Sequence, residues 1–305
     1  MKRMSAMLFA VGLCGAALPF QVEAQTTQLP ELTVQGIRPS QELIGPYDQP
    51  RWTARGRFSS DTDVYVLPPY AFFIDLDYTG TIPKHGDAQN LFTQEFELGL
   101  PHRFQLAYEN NFVLQDEHSQ VTYQTLEARY ALADWGRIPL NPTLFAEYRF
   151  GVGKDYGAAE DSGAAAEHLP DAIEARLLLG EQFCRNYQWA LNLFHEFEIG
   201  GDREWETGFS QALSYAIRDE YLKVGVEMQF IRRTEADTRA DPEYEFDIGP
   251  SLTWKPSALT RLDCAALFGT TSDSPTLGIF VVFSIGLGEG EEKGEGVAPV
   301  STQHR

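Results

Sequence analysis

From residue 70 onward, apolar and polar residues alternate along the sequence with a period of two. In the segment 243–254, EYEFDIGPSLTW, Tyr244 and Phe246 share one phase, while Glu243 and Glu245 share the other. Successive side chains of a β-strand point to opposite faces, so a period of two gives a strand one apolar and one polar face. The pattern therefore predicts an all-β chain.

Twelve segments of this kind follow one another, and single-chain bacterial outer-membrane barrels have an even number of strands. The segments span 70–79, 90–100, 103–113, 120–132, 142–152, 171–182, 187–199, 204–217, 221–231, 243–254, 260–269 and 275–287. Compact turns follow the even-numbered segments, and longer loops follow several odd-numbered ones. This asymmetry is typical of outer-membrane barrels, whose short turns and termini face the periplasm. The sequence predicts a 12-stranded antiparallel transmembrane β-barrel in the bacterial outer membrane, with periplasmic N- and C-termini.

Aromatic residues support the membrane interpretation. In the apolar phase they gather near both ends of the segments, as in the two girdles that flank the apolar band of such barrels. Examples are Trp189, Tyr215 and Trp254 toward one end and Trp205 and Tyr244 toward the other. The alternative is a soluble sandwich or lipocalin-like barrel, in which the apolar phase faces an internal core.

The segments outside the alternating region differ in composition. Residues 1–24 have a basic start, an apolar run and a small-residue cleavage site after Ala24, which predict a secretory signal peptide. Residues 25–69, rich in Pro, Gln and Ser, predict a periplasmic arm or partial plug. We expect a barrel over residues 70–287 and a disordered tail over residues 288–305.

Charge and cysteine content exclude several classes of function. The formal net charge is −20 at pH 7, so we expect no nucleic-acid partner. Cys184 and Cys264 fall on or near segments that are not neighbours, so we expect no disulfide between them. The histidines are scattered without metal-ligand spacing, so we expect neither a metal nor another cofactor.

The triplet Glu-x-Arg recurs in three consecutive segments and is the most specific internal pattern. Its members are Glu127 and Arg129, Glu147 and Arg149, and Glu174 and Arg176. We expect Val152 to lie opposite Asp171, a register in which Arg149 faces Glu174. Arg176 would then face Glu147, which gives a cross-strand ladder of ion pairs. The ladder has a structural interpretation, in which it fixes the register, and a functional one, in which it forms a wall of a permeation path.

Three other segments carry acid pairs without a basic neighbour in the sequence: Glu95 and Glu97, Glu196 and Glu198, and Glu245 and Asp247. Carboxylates in a low-dielectric interior repel one another, become protonated or attract cations. One interpretation is the acidic wall of a cation-preferring pore. The other is neutralisation by basic residues of the arm, namely Arg38, Arg51, Arg55 and Arg57.

An enzymatic function would centre on His195. An outer-membrane phospholipase of twelve strands needs His and Ser together on its lipid-facing side, and His195 has the outward phase. The expected neighbours in the next strand are Thr207, Phe209 and Gln211, which do not include serine. No pair of nucleophile and base is therefore predicted, and we expect a girdle position for His195 and no enzymatic activity.

The segment 29–36, LPELTVQG, resembles the TonB box of TonB-dependent receptors, which adds a strand to its periplasmic partner. The resemblance implies that Glu31, Leu32, Thr33 and Val34 bind a TonB-type protein. Those receptors also have a plug domain and about 22 strands, for which this chain has no room.

The segments GLPHRFQL and EARYALADWG resemble small outer-membrane barrels of the porin-like and transporter-like kind, over residues 64–287. This resemblance implies an outer-membrane location and a barrel fold. We expect a channel or transporter that passes small solutes through an acidic, partly ion-paired lumen, with outer-membrane lipid and the outer-membrane assembly machinery as partners. One alternative is a sealed structural or interaction barrel whose arm binds a periplasmic partner. Another is an outer-membrane lipid hydrolase.

Overall fold

The structure, a computed structural model, describes most of the chain between residues 43 and 287. The described residues are 43–50, 52–53, 58–60, 62–114, 119–156, 166–184, 186–218, 221–237, 239–257 and 259–287. The expected signal peptide, the TonB-box-like segment and the C-terminal tail lie outside them. Among the described residues, no helix is long and apolar enough to cross a membrane.

Twelve strands close into one antiparallel barrel, as predicted. In chain order they are β1 (Phe72–Ile82), β2 (Gln89–Leu100), β3 (Phe104–Leu114), β4 (Gln120–Ala131), β5 (Thr143–Gly151), β6 (Asp171–Phe183), β7 (Tyr187–Ile199), β8 (Trp205–Arg218), β9 (Leu222–Thr234), β10 (Glu243–Trp254), β11 (Thr260–Gly269) and β12 (Leu277–Leu287). Each strand pairs with its neighbours in sequence, and β12 pairs with β1. Closure leaves no strand edge unpaired.

The apolar phase of the strands faces outward. On β7, Leu193, Phe197 and Ile199 are exposed, whereas Asn192 and Glu196 are buried. Aromatic rings meet across strands near both ends, as in the pairs Tyr187 with Tyr215 and Phe230 with Tyr244. A belt of large exposed apolar side chains flanked by aromatic residues is the surface expected of a barrel embedded in a bilayer. In the soluble sandwich or lipocalin-like barrel, these apolar side chains would point into an internal core instead.

The two rims differ in their connections. We call the rim where β1 begins and β12 ends the proximal rim, and the opposite rim the distal rim. At the proximal rim, β2 and β3 are joined by residues 101–103, and His102 and Arg103 have positive φ angles of 65° and 63°. Two pairs of two-residue strands form small sheets separate from the barrel sheet, Leu43–Ile44 with Gln49–Pro50 and Lys154–Asp155 with Glu167–His168.

The described part of the arm lies inside the barrel at the proximal rim. Among the described residues, its apolar side chains form the largest buried hydrophobic cluster together with small residues of the inner wall: Tyr47, Trp52, Phe58, Val64, Tyr65 and Val66 with Ala131, Ala190 and Ala212. Trp135, from the turn between β4 and β5, packs edge-on against Trp52 and Tyr65, with ring centroids 5.8 and 5.3 Å away. The hydrophobic core of this chain therefore lies within the barrel lumen.

The downstream end of the arm is fixed to β2. The N–H of Tyr70 donates to the carbonyl of Gly99 at 2.7 Å, and the N–H of Gly99 donates to the carbonyl of Ala71 at 2.9 Å. A Cβ at residue 99 would lie 1.9 Å from the carbonyl oxygen of Pro68, so this close approach requires glycine. The contact sets where the arm enters the lumen.

Leu193→Arg should test the outward-facing belt. Leu193 lies at the middle of β7 and is 44 % exposed. In a bilayer, arginine at this depth should cost about 2–4 kcal/mol of unfolding free energy. Ile138→Arg is the matched control, because Ile138 is 37 % exposed but lies in the turn between β4 and β5. Denaturant unfolding in lipid vesicles measures both, and equal small effects would contradict a lipid-facing surface.

Candidate functional site

One arginine of the wall, Arg129 on β4, binds the arm. Its guanidinium is 6 % exposed, and its Nη1 lies 3.0 Å from Asp63 Oδ1 of the arm. The same guanidinium contacts three wall carboxylates, Glu127 at 2.9 Å, Glu97 at 3.2 Å and Glu95 at 3.7 Å. Four carboxylates thus share this cation, and one of them comes from the arm.

Further hydrogen bonds hold the arm on either side of Asp63. The amide of Asn192, oriented to satisfy both partners, donates to the carbonyl of Asp63 at 2.8 Å and accepts from its N–H at 2.7 Å. The N–H of Leu67 donates to Gln105 at 2.8 Å, and Gln105 in turn donates to Glu97 at 2.7 Å. The arm and the carboxylates around Arg129 therefore form one hydrogen-bonded network.

Glu227 on β9 anchors another part of the arm. The N–H groups of Ser59 and Ser60 donate to its two carboxylate oxygens at 3.3 and 2.7 Å. Glu227 is 1 % exposed, so these bonds supply partners for a charge that burial would otherwise penalise.

Small wall residues make room for the arm. Gly180 on β6 lies against the arm, and a Cβ at this position would lie 2.5 Å from Val64 Cγ1, so the absence of a side chain makes space for Val64.

The hydroxyl of Tyr65 is buried with a hydrogen-bond partner. The carbonyl of Ala133 accepts a hydrogen bond from the Tyr65 hydroxyl at 2.5 Å. Burial raises the pKa of the Tyr65 phenol well above its usual range. The polar group of this aromatic residue is therefore enclosed but satisfied.

A row of carboxylates crosses eight strands of the wall at about one level; we call it the acidic row. Cross-strand pairing places each member directly opposite the next, except for a two-residue offset between β3 and β4. The row consists of Asp75, Glu95, Glu109, Glu127, Glu147, Glu174, Glu196 and Glu206. Like charges directly opposite each other destabilise a sheet, so this register depends on nearby cations.

The expected register of the Glu-x-Arg ladder is wrong by two residues. Glu174 lies opposite Glu147, and Arg149 lies opposite Ala172. A shift of two keeps every side chain on its predicted face, so the error changes the partners but not the orientation. Arg176 contacts Glu174 on its own strand and approaches Glu147 at 4.0 Å, whereas Arg149 pairs with Glu196.

Wall arginines neutralise most of the acid pairs that lack a basic neighbour in the sequence. Glu95 and Glu97 contact Arg129, Glu196 contacts Arg149, and Glu245 lies 2.8 Å from Arg233. Glu198 accepts a hydrogen bond from the N–H of Glu204 at 3.1 Å, and Asp247 lies opposite Gln229 and Gly269. The expected donors from the arm, Arg38, Arg51, Arg55 and Arg57, lie outside the described residues. What the described arm contributes to the Arg129 cluster is an acid, Asp63.

A polar cavity of about 610 Å³ occupies the lumen on the distal side of the arm. Ser59 of the arm contributes to its lining, which continues along the inner faces of β1 to β6 to residues such as Thr81 and Gln120 near the distal rim. Acids outnumber bases among the charged lining residues, which are Asp77, Glu109, Glu127, Arg149, Glu147, Lys154, Glu174 and Arg176. The cavity is therefore an acidic compartment of the lumen, and the described arm borders it at Ser59.

Two groups of three carboxylates are close enough to bind a hard cation. The oxygens of Glu95, Glu109 and Glu127 lie within 4.8 Å of one another. The same is true of Glu147, Glu174 and Glu196. Calcium and magnesium prefer such oxygen ligands, but Arg129 or Arg176 already supplies positive charge to each group.

At the distal rim, Glu204 lies beside β8 and β9. Burial raises the pKa of its carboxyl to about 7, while Arg233, 3.3 Å away, opposes this shift and Glu206 reinforces it. The carboxyl is therefore partly protonated at neutral pH, and this mouth of the barrel gains negative charge as pH rises through 7.

His195 faces outward within the distal aromatic girdle. Its Nδ1 lies 2.7 Å from the hydroxyl of Thr207, and its ring lies 6.1 Å from that of Trp205. Among the described residues, no carboxylate contacts this imidazole. The predicted neighbour is confirmed, and the pair lacks the third group that orients a catalytic base.

Comparison with known proteins relates the chain by fold. No family model and no curated protein matches the sequence. The structure is similar to an outer membrane channel, COG4313, from Pseudomonas putida F1, with 11 % identity, 74 % of this chain and 98 % of that chain covered, and a TM-score of 0.51. It is also similar to the NanC porin, with 8 % identity, 70 % and 98 % coverage, and a TM-score of 0.50. The chain has the fold of outer-membrane β-barrels.

Arg129→Gln should loosen the arm. Removing one partner of a buried ion pair costs about 3–5 kcal/mol, because the remaining charges are left uncompensated. Here Asp63, Glu95, Glu97 and Glu127 would share no guanidinium. We expect much faster hydrogen exchange in residues 58–67, measured by mass spectrometry on the folded barrel.

Arg137→Gln provides the control for this measurement. Arg137 is 71 % exposed and lies 4.0 Å from Asp48, so its loss should cost at most about 1 kcal/mol. Unchanged exchange in the Arg129 variant would show that docking of the arm does not depend on the Arg129 cluster.

Proposed function

We propose that the chain is an outer-membrane channel that passes small solutes through its polar lumen, and that the arm is a removable plug. The observation that carries the proposal is the position of the arm between a polar cavity and the proximal rim. The cavity opens a path across the distal half of the lumen. Passage across the proximal half requires the arm to move.

The contacts of the arm are suited to a reversible plug. They combine an apolar cluster with a few specific polar anchors, chiefly Asp63 on Arg129 and the Ser59 and Ser60 amides on Glu227. Each polar anchor consists of groups that water can solvate after release, so departure of the arm leaves no permanent unsatisfied charge.

The charge of the lumen favours cations and neutral solutes over anions. The acidic row surrounds much of the path, and arginines compensate it in part. Loss of Asp63 on release would leave Arg129 with Glu95, Glu97 and Glu127. Rings of carboxylates select for cations in membrane channels.

The outer membrane is the proposed location, with the proximal rim and both termini in the periplasm. The apolar belt, the twelve strands and the fold likeness support it, as does the short connection between β2 and β3 at the proximal rim. In this orientation the arm enters from the periplasm, where a TonB-type partner would reach Glu31, Leu32, Thr33 and Val34. Membrane lipid and the barrel assembly machinery are the other proposed partners.

A sealed interaction barrel is the second candidate. The buried arm supports it, since the described arm residues pack against the inner wall of the proximal lumen. The two functions differ in one respect: a sealed barrel stays closed when the arm is loosened, whereas a plugged channel conducts. We propose no enzymatic activity, because the His195 and Thr207 pair lies on the outward face and, in the described part of the chain, no third group orients it.

Gly180→Leu should raise ion conductance. A side chain at residue 180 collides with Val64 and disfavours the docked arm without removing any charge from the wall. We expect more frequent and longer openings in planar bilayers than with the unaltered protein, and similar openings after deletion of residues 25–66. Ala190 is a member of the same cluster and lies directly opposite Gly180, so Ala190→Ser, which adds a single oxygen atom there, serves as the control of small size.

Conductance that stays absent after both arm-displacing changes, in a barrel shown to be folded, would exclude the channel and favour the sealed barrel. Conductance that is high in the unaltered protein and insensitive to both changes would exclude the plug.

Glu147→Gln with Glu174→Gln should weaken the cation preference. Both residues line the cavity and face each other in the acidic row. Removing two negative charges should move the reversal potential in a salt gradient toward that of an unselective pore. Asp237→Asn, at an exposed position beyond β9, is the control and should leave the reversal potential unchanged. An unaltered potential in the double variant would place the selective region elsewhere.

A further inference from the structure

Three amide side chains interrupt the apolar belt on the outside of the barrel. They are Gln94 on β2, Asn110 on β3 and Gln124 on β4, and we call them the amide row. Gln94 lies directly opposite Asn110, and Asn110 lies directly opposite Gln124. All three occupy the outward phase, which on β2 also carries Phe92 and Phe96. The row therefore faces the membrane.

The row lies near the middle of its strands. Gln94 and Asn110 are close to the centres of β2 and β3, and none of the three is at a rim. Phe92 and Phe112 meet on its distal side, and Phe96 and Tyr108 meet on its proximal side. Apolar side chains thus flank the amides in both directions, which places the amides within the hydrocarbon region of a bilayer.

The amides use only part of their hydrogen-bonding capacity. Gln124 Nε2 donates to Asn110 Oδ1 at 3.3 Å, and the Tyr108 hydroxyl donates to the same oxygen at 2.9 Å. The side chain of Gln94 makes no hydrogen bond within the described part of the chain. A primary amide has two N–H donors and an accepting oxygen, so several groups of the row remain available. Lipid tails cannot satisfy them, and an unsatisfied amide in an apolar medium costs several kcal/mol.

The rest of the outward surface lacks such a row. On β10 and β12 the outward phase is apolar throughout, for example Ile248 and Val281. Gln211 on β8 is an outward amide at similar depth, but it stands alone between Leu191 and Met228. A patch of adjacent amides on one side of the barrel therefore distinguishes β2–β4.

We propose that the β2–β4 face is the interface of a homodimer, in which the amide row of one copy hydrogen-bonds with the amide row of the other. Two copies inserted in the same direction can be related by a two-fold axis along the membrane normal. Such an axis brings each residue against the partner at its own depth. A row of amides is self-complementary, because each amide both donates and accepts, so it satisfies the isologous contact that this symmetry requires. The proposal depends on membrane insertion but not on passage of solutes.

Dimerisation in lipid bilayers tests the interface. Single-molecule photobleaching of the full-length protein at a series of protein-to-lipid ratios gives the dimer fraction. Gln94→Leu combined with Asn110→Leu should weaken dimerisation about tenfold or more, since hydrogen bonds between membrane segments are worth about 1–2 kcal/mol each. Both substitutions make the lipid-facing surface more apolar, but Asn110→Leu also removes the acceptor of Tyr108 and Gln124. Gln94→Leu alone removes no side-chain hydrogen bond of the described chain, so it is the second variant and should also lower the dimer fraction.

Gln211→Leu is the matched control and should leave the dimer fraction unchanged. A monomeric wild-type protein at every ratio, or equal losses in the control and the double variant, would overturn the proposal. Conductance measured on the same samples is a separate readout, so failure of the dimer and failure of the channel remain distinguishable.

Disulfide formation locates the contact. Asn110→Cys, in a chain that also carries Cys184→Ser and Cys264→Ser, should give crosslinked dimers on mild oxidation in membranes. Gln211→Cys in the same background should not. Crosslinking at residue 211 and not at residue 110 would place any dimer on another face and refute the assigned interface.

Discussion

Closure of the barrel is the constraint on which the other features depend. A closed antiparallel ladder satisfies the backbone and fixes which face of every strand points inward. Since the outward face is apolar, nearly all charge of the strands is forced into one narrow lumen. The acidic row follows from this, and so do Arg129, Arg149, Arg176 and Arg233, which stand among its carboxylates.

The lumen is divided between two kinds of packing. On the proximal side, small wall residues such as Ala131, Ala190 and Gly180 accommodate the aromatic side chains of the arm. On the distal side, longer polar side chains surround a cavity. The boundary between the two is the level at which Asp63 and Ser60 meet Arg129 and Glu227. One set of wall charges therefore serves both as the anchor of the arm and as the boundary of the polar compartment.

The fold could be predicted almost completely from the sequence, whereas the contacts of the site could not. Period-two alternation determines which residues form strands and which face they occupy, and both were correct for Glu147 and Arg176. It does not determine register to better than two residues, because a shift of two preserves the pattern. That ambiguity concealed the direct opposition of Glu147 and Glu174. The docking of the arm has a weaker counterpart in the sequence, namely the small residues at inward-facing positions of the strands. A prediction based only on the alternation of polar and apolar residues does not use residue size and therefore does not find it.

The attachment of the arm at Pro68 and Gly99 would give the proposed plug a kinetic property. Because the residues just before β1 are pinned to β2, an arm that leaves the lumen stays tethered at the proximal mouth. Its return is then a unimolecular step at a high effective concentration, independent of how many copies of the protein the membrane holds. In the proposed channel the tether would make closure the default: an opening signal would have to act continuously, and the barrel would reseal when the signal ended.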